Sequence, residues 1–307
     1  MEYKGRQVRY PSAGRQLQSR ARCLALSDRH ALYVSAERAG SSETARVVLA
    51  DLASGRVHTA FRHRRVNEAP RLAPNQAHEV SVSIQDLGLT LKASQGRLEA
   101  YGHVYGFGSA DGPLLFDIVM ERAQRGAWSA EGFPAPGTGF PQDGDLMAGL
   151  SAEGRALTGR REYLFSPAVS LGAMEYLGNP QLKGKRMTRL DAAGWAHGEA
   201  VWLSIRAGAE NPGSALFLAG KPLAIGAVTF RQERQGGAEG LTPWQIRDGA
   251  GRLSLAFKPA LETRAKAKLF SPLPPFWLLF GAVSGTIVLE SGESRTVTLP
   301  AGCLEVQ

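Results

Sequence analysis

The chain has 307 residues, 43% hydrophobic and 21% charged, which is ordinary globular usage and excludes a disordered or low-complexity polymer. Its only cysteines, Cys23 and Cys303, exclude a disulfide framework and any C-x-x-C metal spacing, leaving one long-range bridge or two free thiols. The net charge is +8, and residues 1–80 hold 14 Lys/Arg against 7 Asp/Glu, so the surplus lies mostly in the first quarter of the chain.

The opening residues, MEYKGRQVRY, contain no apolar h-region, so no secretory leader is read there and the expected location is cytoplasmic. The best helical candidate is Gly5–Ala25, in poor register. Period-two alternation then takes over. Strands are predicted at Ala31–Ala36, Ala45–Ala50 and Val57–Arg62, with a turn at Asp51–Gly55. His78–Ile84 places Val80, Val82 and Ile84 on one face. Thr90–Lys92, Arg97–Tyr105 and Leu114–Glu121 continue the pattern. Ser129–Asp145 is dense in Pro and Gly, which break helices and ladders alike. It reads as the connection between two domains, 1–145 and 146–307, or as a long loop over a cavity.

The second half resumes with strands at Ala200–Ile205, Ser214–Leu218, Leu223–Arg231, Trp244–Arg247, Arg252–Phe257, Thr263–Phe270, Phe276–Leu289 and Arg295–Leu299. Turn residues stand between them at Ala219–Lys221, Asp248–Gly251 and Ser291–Glu293. A weak repeat matches LTLKA, RLEAYGHV and LLFDIVME to RLSLAF, ETRAKAKL and FWLLFGAV. The fold class is therefore mainly β with little helix: two packed antiparallel units, barrels or half-barrels, since closure removes exposed edges. Phe276–Phe280 is too apolar for an ordinary surface strand; it is buried on both faces or forms a lip in peripheral contact with a membrane.

Three segments carry a resemblance. They are SALFLAGKPLAIGAVTF at Ser214–Phe230, PWQIRDGAGRLSLAF at Pro243–Phe257, and FGAVSGTIVLESG from Phe280 to Gly292. Their order resembles a bacterial family of unknown function, number 2804 among such domains. That family is related to two-barrel lipocalin-like (calycin-like) proteins, the group of the carotenoid hydratases and tocopherol cyclases. The match covers 160–307 well and the first half loosely. Glu175-Tyr176 looks like the family's acidic-Tyr pair, but the W-x-W stretch expected after it is replaced by the basic Lys183–Leu190. The resemblance implies lipocalin-like barrels and chemistry on isoprenoid-like molecules.

Several residues are candidates for a site. Glu175 lies between glycine-bearing segments; buried with a raised pKa, it could act as a general acid. His197, beside Gly198, could be a ligand-facing acid or base. Tyr101, His103 and Tyr105 share one strand face, and pointing inward they would supply hydrogen-bonding groups to an apolar cavity. Tyr176, Trp195 and Trp202 complete the ligand-binding set. Each has a bland counterpart: a strand-end Glu, a hydrogen-bonded structural His, a solvated aromatic face.

The sequence has no P-loop, G-x-S-x-G elbow, H-E-x-x-H pair or dinucleotide fingerprint, so no metal and no cofactor is expected. Nucleic acid is not expected either, because the arginines are scattered singly between apolar strand positions. The leading expectation is a hydrophobic small-molecule partner, lipid- or isoprenoid-like, held in a β-barrel cavity, with or without acid/base hydration, cyclisation or isomerisation. The alternative is a non-catalytic interaction module using the basic first half.

Overall fold

The computed structural model describes residues 18–39, 41–66, 79–94, 97–107, 112–121, 146–177, 187–196, 198–208, 214–218, 221–233, 241–265 and 276–306. Alternation of small apolar and polar side chains produces, among the described residues, twenty strands in two antiparallel sheets. The first sheet contains β1 (Gln18–Leu26), β2 (His30–Ala39), β3 (Ser42–Asp51), β4 (Arg56–Arg65), β5 (Glu79–Ile84), β6 (Leu87–Ser94), β7 (Arg97–Val104), β8 (Leu114–Glu121), β9 (Leu146–Thr158), β10 (Arg161–Phe165) and β11 (Leu171–Leu177). Its order is β4-β3-β2-β1-β11-β9-β8-β7-β6-β5, with β10 on the far half of β9. The second contains β12 (Met187–Ala196), β13 (Glu199–Gly208), β14 (Ser214–Leu218), β15 (Lys221–Ile225), β16 (Val228–Gln232), β17 (Trp244–Asp248), β18 (Leu253–Ala265), β19 (Phe276–Val288) and β20 (Ser294–Val306). Its order is β15-β14-β13-β12-β20-β19-β18-β17-β16.

The two sheets share one plan. A four-stranded meander and a longer one are joined because the first strand of each unit pairs with the last: β1 with β11, β12 with β20. The first sheet is nearly closed, its end strands β4 and β5 lying against one another. Arg62 on β4 clamps Asp86 in the β5–β6 turn, and Asp86 also accepts the Gly106 N–H at 2.7 Å. The second sheet is a half-barrel whose edge strand β16 curls toward β13.

β9 must bend to pair with β11 through its first half and β10 through its second. Gly149 is the extra residue where the β9–β11 register shifts, and its φ of 71° is one that glycine adopts without steric cost. At Gly154, with φ 139°, an added Cβ would lie 2.1 Å from the Asp117 carbonyl oxygen of β8. Gly154→Ala is expected to cost about 2 kcal/mol or more through strain and overpacking, read as a lowered urea midpoint. An unchanged midpoint would show that β8 and β9 can separate freely.

Three apolar cores result. One fills the first barrel, including Cys23, Val34, Leu49, Leu91, Ile118 and Tyr176. Another fills the second, including Leu203, Ile246, Phe257 and Leu299. The third lies between the sheets, including Leu24, Tyr33, Trp202, Phe217, Phe276 and Phe280. β1–β3 are buried on both faces, one toward the first barrel and one toward this seam.

Three sequence expectations change here. The described part of the helical candidate is strand β1, because Arg20 and Arg22 alternate with Ala21 and Cys23 across two buried faces. LSLAF and ETRA form one continuous strand, β18, so the repeat lies in topology rather than in the aligned segments, and residues 266–270 of the predicted strand lie outside the described residues. Residues 146–177 pair into the first sheet, so the chain passes between sheets after Leu177 and before Met187; the Pro/Gly-rich 129–145 lies outside the described residues. Phe276–Phe280 is a buried strand: Phe276, Leu278 and Phe280 face the seam and Leu279 the second barrel. Both cysteines are free and buried, Cys23 in the first barrel and Cys303 in the seam.

Candidate functional site

The seam is divided in composition. Seam-facing positions of β1, β2, β11, β12, β13 and β20 are apolar toward one end and charged toward the other. At the apolar end lie Leu24, Leu26, Leu171, Ala173, Ala193, Trp202 and Ala301. Two or more residues along the same strands stand Arg20, Arg22, Glu37, Glu175, Arg189, Asp191, Arg206 and Glu305, all buried.

These charges satisfy one another across the two sheets. Arg20 reaches Glu305 at 2.5 Å and donates to the Tyr33 hydroxyl. Arg22 reaches Asp191 at 2.5 Å and stands 3.7 Å from Glu305. Glu175 on β11 accepts from Arg189 on β12 and Arg206 on β13. Arg189 also grips Asp191 at 2.7 Å. Nearby, Arg46 pairs with Glu37 at 3.0 Å, and its guanidinium lies 4.6 Å from the ring centre of Phe276 in the other sheet. Charges taken out of water persist only when paired and hydrogen-bonded. The network therefore fixes which face of β1 and β11 meets β12 and β20.

The electrostatics follow. Burial pushes the Glu175 carboxyl up, but Arg189, Arg206 and Arg22 outweigh it and hold it below the ordinary value. Asp191 is likewise pushed up by burial and drawn well down by Arg189 and Arg22. For Glu305 burial is outweighed by Arg20 and Arg22, leaving the carboxyl at about 2. Cys23, in the first barrel, is raised by burial to about 12 and is no nucleophile at neutral pH.

The candidates drawn from sequence disperse over this frame. Glu175 is buried rather than a water-facing strand end, but its pKa is lowered where a general acid needs a raised one, because three arginines surround it. Tyr176, its neighbour, points the other way into the first barrel. Trp202 is fully buried in the seam, and its indole N–H has no acceptor among the described residues. Trp195 is 39% exposed, and His197 lies outside the described residues. The Tyr101–His103–Tyr105 face points outward: Tyr101 is 39% and Tyr105 64% exposed, while Leu98, Ala100 and Val104 take the inward positions. The small inward residues pack closely, and the larger polar rings stay in water. Among the described residues no cluster of His, Cys, Asp and Glu could hold a metal ion.

Sequence reading missed the network itself. Its signal was present as charges at alternate positions in otherwise apolar strands: RARC at Arg20–Cys23, MEYL at Met174–Leu177, RLDA at Arg189–Ala192 and CLEV at Cys303–Val306.

The model of the family described as "Domain of unknown function (DUF2804)" matches residues 21–307. The chain belongs to the DUF2804 family. No functionally curated protein matches it in sequence. Solved structures resemble this DUF2804 protein in fold. One is a protein of Nitrosomonas europaea provisionally identified as AttH, at 13% identity and TM-score 0.57, covering 95% of this chain and 92% of that one. Kievitone hydratase from Nectria haematococca gives 13% identity and TM-score 0.58, covering 95% and 88%. CghA, in a structure with Sch210972, gives 12% identity and TM-score 0.55, covering 95% and 89%. At such identities the likeness is one of fold: the mainly β architecture of two barrel-like sheets is what this chain shares with them.

Proposed function

We propose that this DUF2804 protein binds a largely apolar, lipid- or isoprenoid-like small molecule at the seam between its two sheets. One observation carries the reading. The seam's apolar half is rich in aromatic groups and contains the buried indole N–H of Trp202, which has no acceptor among the described residues, bordered by an arginine-rich half. An apolar molecule bearing a carbonyl or hydroxyl oxygen matches both halves, because apolar burial supplies affinity and a single donor fixes orientation. Structures of the same fold include a hydratase and a protein crystallised with a small molecule, which supports this reading. A reaction, if one follows, is of the hydration, cyclisation or isomerisation class. Its acid would be a group other than Glu175, whose carboxylate form the surrounding arginine charges favour. His197 is the remaining acid/base candidate from the sequence.

The basic-module alternative loses support. Of the arginines at 18–66, Arg20, Arg22, Arg38, Arg46, Arg62 and Arg64 are paired with carboxylates of the same chain.

Native mass spectrometry of protein purified from cells tests the proposal. A co-purified apolar compound is expected, together with quenching of tryptophan emission by added retinol that Trp202→Phe reduces. Protein that emerges free of small molecules and leaves retinol unbound would overturn it.

A further inference from the structure

A separate hollow opens at the end of the second half-barrel, away from the seam network. Its walls are Leu216 on β14, Ile225 on β15, Leu253 on β18 and Ile287 on β19, with Val288, Arg252 and the exposed Glu290 beside them. It measures about 310 Å³ counting its open mouth, with room for little more than one water-sized group inside. One lining residue is out of keeping with the walls. β17 points Trp244, Ile246 and Asp248 inward in turn, so Asp248 takes a barrel-interior position at the strand's end. Asp248 is only 7% exposed. Its Oδ1 accepts the Leu253 N–H at 2.9 Å, fixing the β17–β18 turn. Its Oδ2 is buried and accepts from no donor among the described residues.

A buried carboxylate oxygen without a donor is costly, and native proteins supply one from protein, water or ligand. Here the oxygen belongs to a residue that lines an open-mouthed apolar hollow. We propose that this mouth is a second ligand site, one that takes a hydrogen-bond-donating head, hydroxyl or ammonium, on a short apolar stem. The head donates to Asp248 Oδ2, and the stem lies against Leu216, Ile225, Leu253 and Ile287. The site does not rest on the seam reading: the two share no residue.

The test is NMR titration of the whole chain, following the Leu253 amide and the Ile287 methyl signals. The probes are 1-butanol, butylammonium, methyl propyl ether and butyrate. Butanol, butylammonium or both are expected to shift these signals at least about tenfold more tightly than the ether or butyrate, since a hydrogen bond to a charged group is at stake. Which of the two donors binds identifies the head. Asp248→Asn keeps an oxygen for Leu253 but presents an amide donor to the hollow, so the ether should gain on the alcohol. Ile225→Trp, at the half-buried wall, should block every probe. Equal binding of ether and alcohol, an order of preference unaffected by Asp248→Asn, or no shift with any probe would each overturn the proposal.

Discussion

Glu175→Gln is expected to destabilise the protein by about 3–5 kcal/mol, the usual cost of breaking a buried ion pair from one side. The carboxylate accepts from Arg189 and Arg206 and lies 3.9 Å from Arg22, so its neutralisation leaves several arginine charges buried without compensation. The exposed Glu121, paired with Arg97 at the surface, is the control, and Glu121→Gln should shift stability by less than about 1 kcal/mol. Adding Arg206→Met to Glu175→Leu should recover part of the loss, because removing both partners restores charge balance. Urea denaturation of the four proteins reads these differences. If Glu175→Gln matches Glu121→Gln, the network does not hold the seam. Glu175 joins β11 of the first sheet to β12 and β13 of the second, so the loss should appear as weakened contact between the two units.

Acid should open the same seam. Glu175, Asp191 and Glu305 all have carboxyls held below their ordinary values by arginines that outweigh burial. A carboxyl whose pKa is lower folded than unfolded binds its proton preferentially in the unfolded chain. Its contribution is therefore complete above the unfolded value and lost as pH falls through the folded one. For Glu305 that window runs from 4.5 down to about 2. Asp51 and Asp86, outside the seam, are lowered too and add to the trend from more exposed positions. With several groups titrating together, stability should fall by more than about 1.4 kcal/mol per pH unit below pH 4, the slope of a single proton. Urea midpoints measured from pH 7 to pH 3 test this, and a midpoint that holds steady to pH 3 would remove the charged seam as a source of stability. Glu175→Gln, lacking one titrating group, should show a shallower slope.

Much of this fold was legible in the sequence. Alternation of small and large side chains identified β2 to β8 and most of the second sheet, because period two is a local property of extended backbone. β1 was lost for a physical reason. Arg20 and Arg22 look solvated in a one-dimensional reading, since arginine is normally exposed, and only a partner strand bearing Glu305 and Asp191 makes that face a buried one. Likewise, Tyr101, His103 and Tyr105 were visible as a stripe, but which face turned inward depended on the apolar Leu98, Ala100 and Val104 packing into the barrel core.

The sequence by itself determined the class of the fold: extended strands with polar turns, two units in succession, and membership in a family of β proteins. Those features follow from interactions between residues close in the chain. Only the tertiary structure decided that the two units meet along β1, β11, β12 and β20, that their meeting surface is half apolar and half ionic, and that Glu175 is ionised there. Arg22 and Asp191 are 169 residues apart, and Arg20 and Glu305 are 285 apart. The state of a buried charge depends on what the fold places within a few ångströms of it, which no local pattern records.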